Sequence, residues 1–156
     1  CLFITLAGLL GTMVGLFNNE TQIEDAQARK NRSNLLADEL RQSSDDLTKM
    51  ARLFAVTGEV RYREYFDEIL AIRNGEAPRP AHYNLVYWDL IGPDGQRPRP
   101  FESKQALSER MAQEGFTLGE LSHLQHAQGL SDALATLEDI AMHAVEGRFD
   151  DGTGTF

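Results

Sequence analysis

The stretch LADELRQSSDDLTKMARLF (36–54) places apolar side chains at alternating steps of four and three residues. This spacing keeps one stripe of a helix turned toward a partner helix, as in coiled coils. The stripe consists of Leu36, Leu40, Ser43, Leu47, Met50 and Phe54, with Ser43 as its polar exception. The charged residues between them, which are Asp38, Glu39, Arg41, Asp45, Asp46, Lys49 and Arg52, are interpreted as a solvated outer face. The stretch therefore predicts a helical bundle.

The segment that precedes this stripe begins with an uncharged run, CLFITLAGLLGTMVGLF (1–17). At about 1.5 Å per residue it forms a helix on the order of 25 Å long, close to the roughly 30 Å hydrocarbon core of a bilayer. We expect a membrane helix that is truncated at its start, and no small-x-small site follows it for cleavage as a signal peptide. Since no Gly or Pro occurs between Asn18 and Thr57, one helix is predicted to continue beyond the membrane.

Charge restricts the partners and the location of the rest of the chain. The formal net charge is -9, which argues against nucleic acid or anionic lipid as a partner. Lys and Arg next to a membrane helix mark its cytoplasmic side, and none occurs between Asn18 and Ala28. We therefore expect 18–156 to lie in the periplasm or outside the cell, and the protein to reside in a bacterial inner membrane.

Further helices are predicted after the first. Gly58 is a stop signal, and a second helix is expected over 59–73. Tyr83 to Ile91 favours a short helix, although its aromatic residues would also suit a strand. The pattern predicts a turn over 92–95 and a helix over 103–113. Thr117 and Glu120 form a capping box. It opens a last helix whose apolar stripe, predicted to pack against the first helix, is Ala127, Leu130, Leu134, Leu137, Ala141 and Ala144. A turn or hairpin is expected over 148–156.

The order of these features resembles the periplasmic helical sensor modules of bacterial transmembrane receptors, namely chemoreceptors, sensor histidine kinases and membrane-bound diguanylate cyclases. The resemblance is carried by Leu36 to Leu40, Asp46 to Phe54, Thr57-Gly58 with Tyr62 and Tyr65, Arg73 to Glu76, Tyr87-Trp88-Asp89, Ser131 to Leu134, and Leu137-Glu138. It implies a ligand-binding input module that works as a homodimer and passes a small displacement across the membrane. Such receptors return through a second membrane helix to an output module, and no second apolar run is present here.

The stretch from Leu70 to Leu90, which interrupts the regular helical pattern, contains the candidate ligand-binding residues. They are Arg73, Asn74, Tyr83, Tyr87, Trp88 and Asp89. Aromatic rings supply stacking faces, Arg73 suits a carboxylate or phosphate, and Asp89 suits an amine, so a small-molecule ligand is expected. The alternative is that the three rings only cap the bundle core, with Arg73 paired to Glu76 or Asp89.

Other chemistry has little support in the residues. A Gly11-x-x-x-Gly15 spacing could bring two membrane helices together. Glu120-x-x-His123 has the spacing of a di-iron ligand pair, but the second such pair is missing, so His123 and His126 are interpreted as surface residues and no metal is expected. No phosphate-binding loop, nucleophile elbow, kinase motif or cyclase motif occurs. Neither a catalytic residue nor a cofactor is therefore expected.

These observations combine into one interpretation. The fold class is all-α: a membrane helix (1–17) continues into an elongated helical-bundle sensor domain (18–156), which has an irregular Pro-rich and aromatic insertion and whose bundle is incomplete in this chain. The predicted function is the ligand-sensing extracytoplasmic input region of a signal-transduction receptor. A membrane-anchored helical scaffold or assembly protein without ligand sensing is the alternative.

Overall fold

Four α-helices organise the chain in the computed structural model, which describes the backbone of 2–149 and the side chains of 22–24 and 26–149. The helices are α1 (Leu2–Thr57), α2 (Val60–Arg73), α3 (Leu107–Gln113) and α4 (Leu118–Val145). No strand occurs within 2–149, so the expected all-α class is confirmed. The turn or hairpin expected over 148–156 falls largely on 150–156, outside the described residues.

Helix α1 runs without a break from Leu2 to Thr57 and is therefore about 84 Å long. Its predicted continuity past Asn18 is confirmed. It ends where Gly58 adopts the left-handed conformation, with φ +69. Considering only the residues with described placement, no helix is both long and apolar enough to cross a membrane. The predicted membrane helix, 1–17, lies in the part of α1 whose side chains are not described.

The predicted apolar stripe of α1 is confirmed. Leu36, Leu40, Ser43, Leu47, Met50 and Phe54 are all buried. The interpretation of its flanks as solvated is wrong at three positions. Glu39 is buried and accepts hydrogen bonds from Arg79 and Arg110, and Asp46 and Lys49 are partly buried.

The helix directions follow from which residues meet. Arg73 at the end of α2 lies beside Ser131, which in turn contacts Ser44 in the middle of α1, so α2 runs antiparallel to α1. Helix α4 runs parallel to α1. Its Leu121 and Leu124 pack near Leu36 and Leu40, and its Met142 packs near Ala51 and Phe54. A parallel α1–α4 pair leaves the two helices pointing the same way along the bundle.

Helix α4 packs on α1 as predicted, but it does so with a different stripe. The residues turned inward are Leu121, Leu124, Gln128, Ser131, Ala135, Glu138 and Met142, again at steps of three and four. The predicted stripe of Leu130, Leu134 and Leu137 is exposed. The inner stripe packs on α1 because its small and polar residues allow the two helices to approach closely. Its Ser131 accepts a hydrogen bond from Arg73 and donates one to Ser44.

Two further predicted helices are shorter than expected. Tyr83 to Ile91 forms only a single 3₁₀ turn, Trp88–Leu90, because the guanidinium of Arg99 binds the carbonyl oxygens of His82 and Val86. Helix α3 begins at Leu107 rather than Ser103. The boundaries of α2 and the Thr117–Glu120 capping box agree with prediction.

Candidate functional site

The segment 74–106, which we call the insert, leaves α2 and returns to α3 at nearly the same point. Gly75 makes this closure feasible. Its φ is +78, and a Cβ added to it would lie 2.5 Å from the backbone nitrogen of Ala106. Any other residue at Gly75 would be strained twice, by its conformation and by this contact. The extended backbone at Ala106, required by the same approach, also explains why α3 starts late.

The insert pairs with itself before it reaches the helices. The amide of Ala81 donates to the carbonyl of Pro100 at 2.9 Å, and the amide of Glu102 donates to the carbonyl of Arg79 at 2.6 Å. These bonds surround an isolated antiparallel bridge between Pro80 and Phe101. The insert is thus a loop whose two ends are joined by backbone hydrogen bonds.

A buried ion cluster fastens the base of this loop to α1 and α3. Arg79 donates to both carboxylate oxygens of Glu39, at 2.8 and 2.6 Å, and to Glu102 at 2.6 Å. Arg110 on α3 donates to Glu39 at 2.9 Å. Burial alone would lower the pKa of Arg79, but the hydrogen bonds and charges of Glu39 and Glu102 raise it overall. One buried carboxylate therefore joins three elements through charge-assisted bonds.

The upper part of the insert packs three rings against α2. Trp88 lies 5.1 Å from Tyr65, 5.2 Å from Tyr87 and 6.4 Å from Tyr83, between ring centroids. The indole nitrogen of Trp88 donates to the hydroxyl of Tyr83 at 3.1 Å. Burial raises the pKa of Tyr83 and of Tyr87. Both phenols therefore stay protonated, and the cluster is neutral.

A cation covers one side of these rings. The guanidinium of Arg97 lies 5.5 Å from the ring centroid of Tyr65 and 5.6 Å from that of Trp88. It is held there by Glu68, which accepts a hydrogen bond at 2.7 Å. The hydroxyl of Tyr87 is also buried near Arg97, whose charge opposes the rise in the pKa of Tyr87 that burial causes.

The candidate residues predicted from the sequence do not all meet. Tyr83, Tyr87 and Trp88 lie together in the core, as just described. Asn74 is the exposed C-terminal cap of α2. Asp89 lies at the surface and accepts a hydrogen bond from Lys49.

Arg73 is the last residue of α2, and its guanidinium binds α4. Its side chain is buried and donates to Ser131 at 2.8 Å and to Asp132 at 2.7 Å, both on α4. The hydroxyl of Ser131 donates in turn to Ser44 on α1 at 2.9 Å. Burial lowers the pKa of Arg73, and Asp132 partly opposes this effect. The alternative pairing of Arg73 with Glu76 or Asp89 is therefore wrong, and Arg73 connects α2, α4 and α1.

A cleft of about 200 Å³ opens where α1, α2 and the insert converge. Its walls are formed by Lys49, Met50, Leu53, Arg61, Tyr62, Tyr65, Trp88, Asp89, Ile91 and Gly92. Three of these residues are aromatic, and three are charged. Two of the residues predicted from the sequence, Trp88 and Asp89, lie in this cleft.

The charged groups of the cleft are paired with one another or with neighbours. Lys49 donates to Asp89, and Arg61 donates to Glu59 at 2.6 Å and to the hydroxyl of Tyr62 at 3.0 Å. The guanidinium of Arg61 also lies 4.8 Å from the ring centroid of Tyr62. These pairs are largely solvent-exposed, so exchanging one partner for a ligand group costs little.

Asp46, one helical turn before Met50 of the cleft wall, is a partly buried carboxylate with a shifted pKa. Burial raises the pKa of Asp46 to about 6; the charge of Lys49 opposes the shift, and the charge of Asp89 adds to it. Asp46 therefore responds to any change in the Lys49–Asp89 pair.

Sequence reasoning missed Lys49, Arg61 and Glu39. Lys49 and Glu39 were assigned to a solvated face because each is a charged neighbour of the apolar stripe. The sequence offered one signal for the ion cluster at Glu39, which is the position of Arg79 between Pro78 and Pro80. The two prolines restrict the backbone around Arg79, so its side chain is held where a carboxylate can bind it.

No protein-family model, curated protein or solved structure matches this chain. Among the side chains that are described, no group of three or more His, Cys, Asp or Glu residues could hold a metal ion.

Proposed function

We propose that the chain is the ligand-sensing input region of a bacterial transmembrane signal-transduction receptor. In this proposal 1–17 form a membrane helix in the inner membrane, 18–156 lie in the periplasm or outside the cell, and the cleft between α1, α2 and the insert binds a small molecule. A cytoplasmic output module receives the signal.

The observation that carries the proposal is the continuity of α1. This helix contributes Lys49, Met50 and Leu53 to the cleft, and it reaches the apolar run 1–17 without interruption. From Met50 to Phe17 the helix covers about 50 Å. An unbroken helix transmits a shift at one end to the other, which is what a receptor requires of its input region.

The chemistry of the cleft fits a small zwitterion with an apolar or aromatic side group. Asp89 offers a carboxylate to an amine, while Lys49 and Arg61 offer cations to a carboxylate. Tyr62, Tyr65 and Trp88 offer ring faces to the remainder of the molecule. Amino acids are the simplest ligands with this combination.

The position of the cleft also gives binding a mechanical consequence. Its walls belong to three separate elements, so a ligand that bridges Asp89 and Arg61 draws the insert toward α2 across α1. The Lys49–Asp89 pair is exchanged in the process, which changes the contact between the insert and α1. Ligand binding thus changes the contacts made by α1, the helix that leads to the proposed membrane segment.

Binding to the chain in detergent micelles tests the proposal. Calorimetry and thermal shift with the common amino acids should identify at least one that binds. Asp89→Ala and Arg61→Ala should each weaken its binding about tenfold or more, the scale of a lost charge-assisted bond of about 1.5 kcal/mol or more. Glu64→Ala, an exposed change elsewhere on α2, should leave binding unchanged.

Arg73→Met extends the same experiment to the site predicted from the sequence. We expect it to lower the stability of the fold without changing the affinity per folded molecule, since Arg73 is engaged by Ser131 and Asp132. Affinity that falls with Arg73→Met but not with Asp89→Ala would move the ligand from the cleft to Arg73. Absence of binding by every compound tested would favour the second candidate function.

That second candidate is a membrane-anchored helical scaffold. It is favoured by the exposed Leu130, Leu134 and Leu137 of α4, which suit a partner helix. A scaffold needs no cleft with opposed charges, so the effect of Asp89→Ala on ligand binding separates the two candidates.

A further inference from the structure

Helix α4 has an outer face that is largely exposed within the described part of the chain, although Leu134 and Ala141 at one edge border a groove against α1. We define the α4 outer face as Ala127, Leu130, Ala133, Leu134, Leu137, Ile140, Ala141 and Ala144. Leu130 and Leu137 are 62% and 64% exposed, and Leu134 and Ile140 are exposed as well. Contiguous apolar surface of this kind marks an interaction site on a folded protein.

The charges of α4 are confined to its other side. Between Leu121 and Val145 its acidic residues are Asp132, Glu138 and Asp139, and it has no Lys or Arg. Asp132 pairs with Arg73 and Asp139 with Arg63, while Glu138 has a buried carboxylate oxygen. The ionisable groups on the outward side are two histidines, His123 and His126. A chain with a formal net charge of -9 has thus kept one long face free of carboxylates.

A neutral face of this kind suits a second copy of the same chain. In a two-fold contact each copy meets the same patch that it presents, so a carboxylate on the patch would meet its own copy. The outer face avoids this repulsion along its whole length. Its Leu and Ala residues also recur at steps of three and four, the spacing by which two helices interlock side chains.

The direction of α4 sets how two copies pair. Helix α4 is parallel to α1, as shown by Leu121 beside Leu36 and Met142 beside Phe54. In two copies anchored in one membrane by α1, the two α4 helices therefore point the same way.

We infer that the α4 outer face binds the same face of a second copy, in parallel and in register. The parallel direction rests on the proposed function, because it requires both copies to be anchored in one membrane. The contact between the two apolar faces does not require that anchoring. Anchoring also concentrates the two copies in one plane, so that a modest interface suffices.

Disulfide cross-linking of the full chain in detergent micelles tests register and direction. In a Cys1→Ser background, Leu130→Cys alone and Ala141→Cys alone should each form cross-linked dimers upon oxidation. Thr136→Cys, an exposed position on the side of α4 that borders α2, should not. These two cysteine positions lie about 16 Å apart along the helix, so the two directions of pairing are well separated.

The mixed sample gives the overturning result. Antiparallel pairing about the middle of the face would bring Leu130→Cys to Ala141→Cys in the other copy, so only the mixture of the two variants would cross-link. That outcome, or equal cross-linking at Thr136→Cys, would overturn the inference.

A charge test measures the strength of the contact. The double variant Leu130→Glu with Leu137→Glu should weaken dimerisation at least tenfold in sedimentation or subunit-exchange measurements on micelles. The matched control is Leu118→Glu with Val56→Glu, which adds the same charge at positions 89% and 84% exposed but off the outer face. Equal dimerisation of the two double variants, or a monomeric unmodified chain, would overturn the inference.

The outcome of the ligand-binding experiments does not depend on the outcome of the cross-linking and charge experiments. Cross-linking at Leu130→Cys is read without any ligand, and ligand binding to the cleft is read per folded chain. A dimer that binds no amino acid would therefore count against the proposed function alone.

Discussion

The insert and α4 both pack against α1, and the irregular segment is the more deeply packed of the two. The insert buries Arg79, Pro80, Tyr83, Tyr87 and Trp88. The 28 residues of α4 bury only Ala135 and Met142. A regular backbone and a dense interior are thus separate properties here. Helix α4 satisfies its own hydrogen bonds and needs few contacts, whereas the insert depends on its contacts for its shape.

In the insert, long side chains rather than a helix or sheet supply hydrogen-bond donors to the backbone carbonyl oxygens. Arg99 donates to the carbonyl oxygen of His82 at 2.6 Å, and Gln42 of α1 donates to that of Leu85 at 3.0 Å. Buried or partly buried backbone groups require such partners when no helix or sheet supplies them. The comparison predicts larger losses from changes in the insert than from changes in α4.

Truncation of Trp88 should have the largest effect. Trp88→Ala removes a buried ring that touches Tyr65, Tyr83 and Tyr87, and it leaves the hydroxyl of Tyr83 without its donor. We expect the free energy of unfolding to fall by about 3 to 5 kcal/mol. Urea unfolding followed by circular dichroism measures it, with Leu90→Ala, an exposed neighbour, as the control. A loss below about 1 kcal/mol would place the rings outside the core.

Removal of Glu39 should come next. Glu39→Ala leaves Arg79 buried without its bidentate partner and deprives Arg110 of the same carboxylate. An uncompensated buried charge costs about 3 kcal/mol or more, and Glu102 still offers Arg79 one bond. The control is Asp38→Ala, the preceding, exposed carboxylate on α1. Equal effects of the two changes would show that the cluster contributes no more than a surface pair.

The parts of the fold that local signals determine could be predicted from the sequence. The stripe from Leu36 to Phe54, the stop at Gly58 and the Thr117 cap all depend on residues within a few positions of one another. The packing of α4 could not be predicted in the same way, because α4 has two stripes with coiled-coil spacing. The Leu-rich one resembles a core, yet Ser131 and Ala135 approach α1 more closely.

In the candidate site, too, features that depend on neighbouring residues could be predicted, and features that depend on distant residues could not. Composition located the aromatic cluster of Tyr83, Tyr87 and Trp88, because large rings in an irregular segment need a place to pack. The role of Arg73 was out of reach, since its partner Asp132 lies 59 positions away. Lys49 enters the cleft only because the insert folds back over α1, a contact that no local pattern encodes.

The third prediction concerns pH and the contact between the insert and α1. The pKa of Asp46 is raised by burial from 3.8 to about 6, so the folded state holds a proton that the unfolded chain releases at lower pH. Stability from this group is complete below about pH 4 and is lost as the pH rises through 6. A shift of about two units corresponds to about 3 kcal/mol, which partial exposure reduces to about 2.

Replacement of Asp46 isolates this effect. Asp46→Asn should remove the loss between pH 4 and 7, so that the variant is more stable than the unmodified chain by about 2 kcal/mol at pH 7.5 and nearly equal to it at pH 4. Urea unfolding across that range gives the difference directly. Asp45→Asn, a neighbouring exposed carboxylate, serves as the control. A constant difference at all pH values would show that Asp46 does not titrate in this window.

The smallest effect should come from the start of α4. The hydroxyl of Thr117 accepts a hydrogen bond from the amide of Glu120 at 3.3 Å, and the carboxylate of Glu120 accepts one from the amide of Thr117 at 2.9 Å. These bonds, which also lower the pKa of Glu120, satisfy two amides that the first turn of a helix leaves open. Thr117→Ala should cost about 1 kcal/mol of unfolding free energy, and Thr117→Ser should cost much less. If α4 is as lightly held as its burial indicates, hydrogen exchange in Thr117→Ala should accelerate in the first turns of α4 and leave the insert unchanged. Acceleration that extends to the amides of Tyr87 and Trp88 would show instead that α4 and the insert unfold together, and that their different packing does not give them separate stabilities.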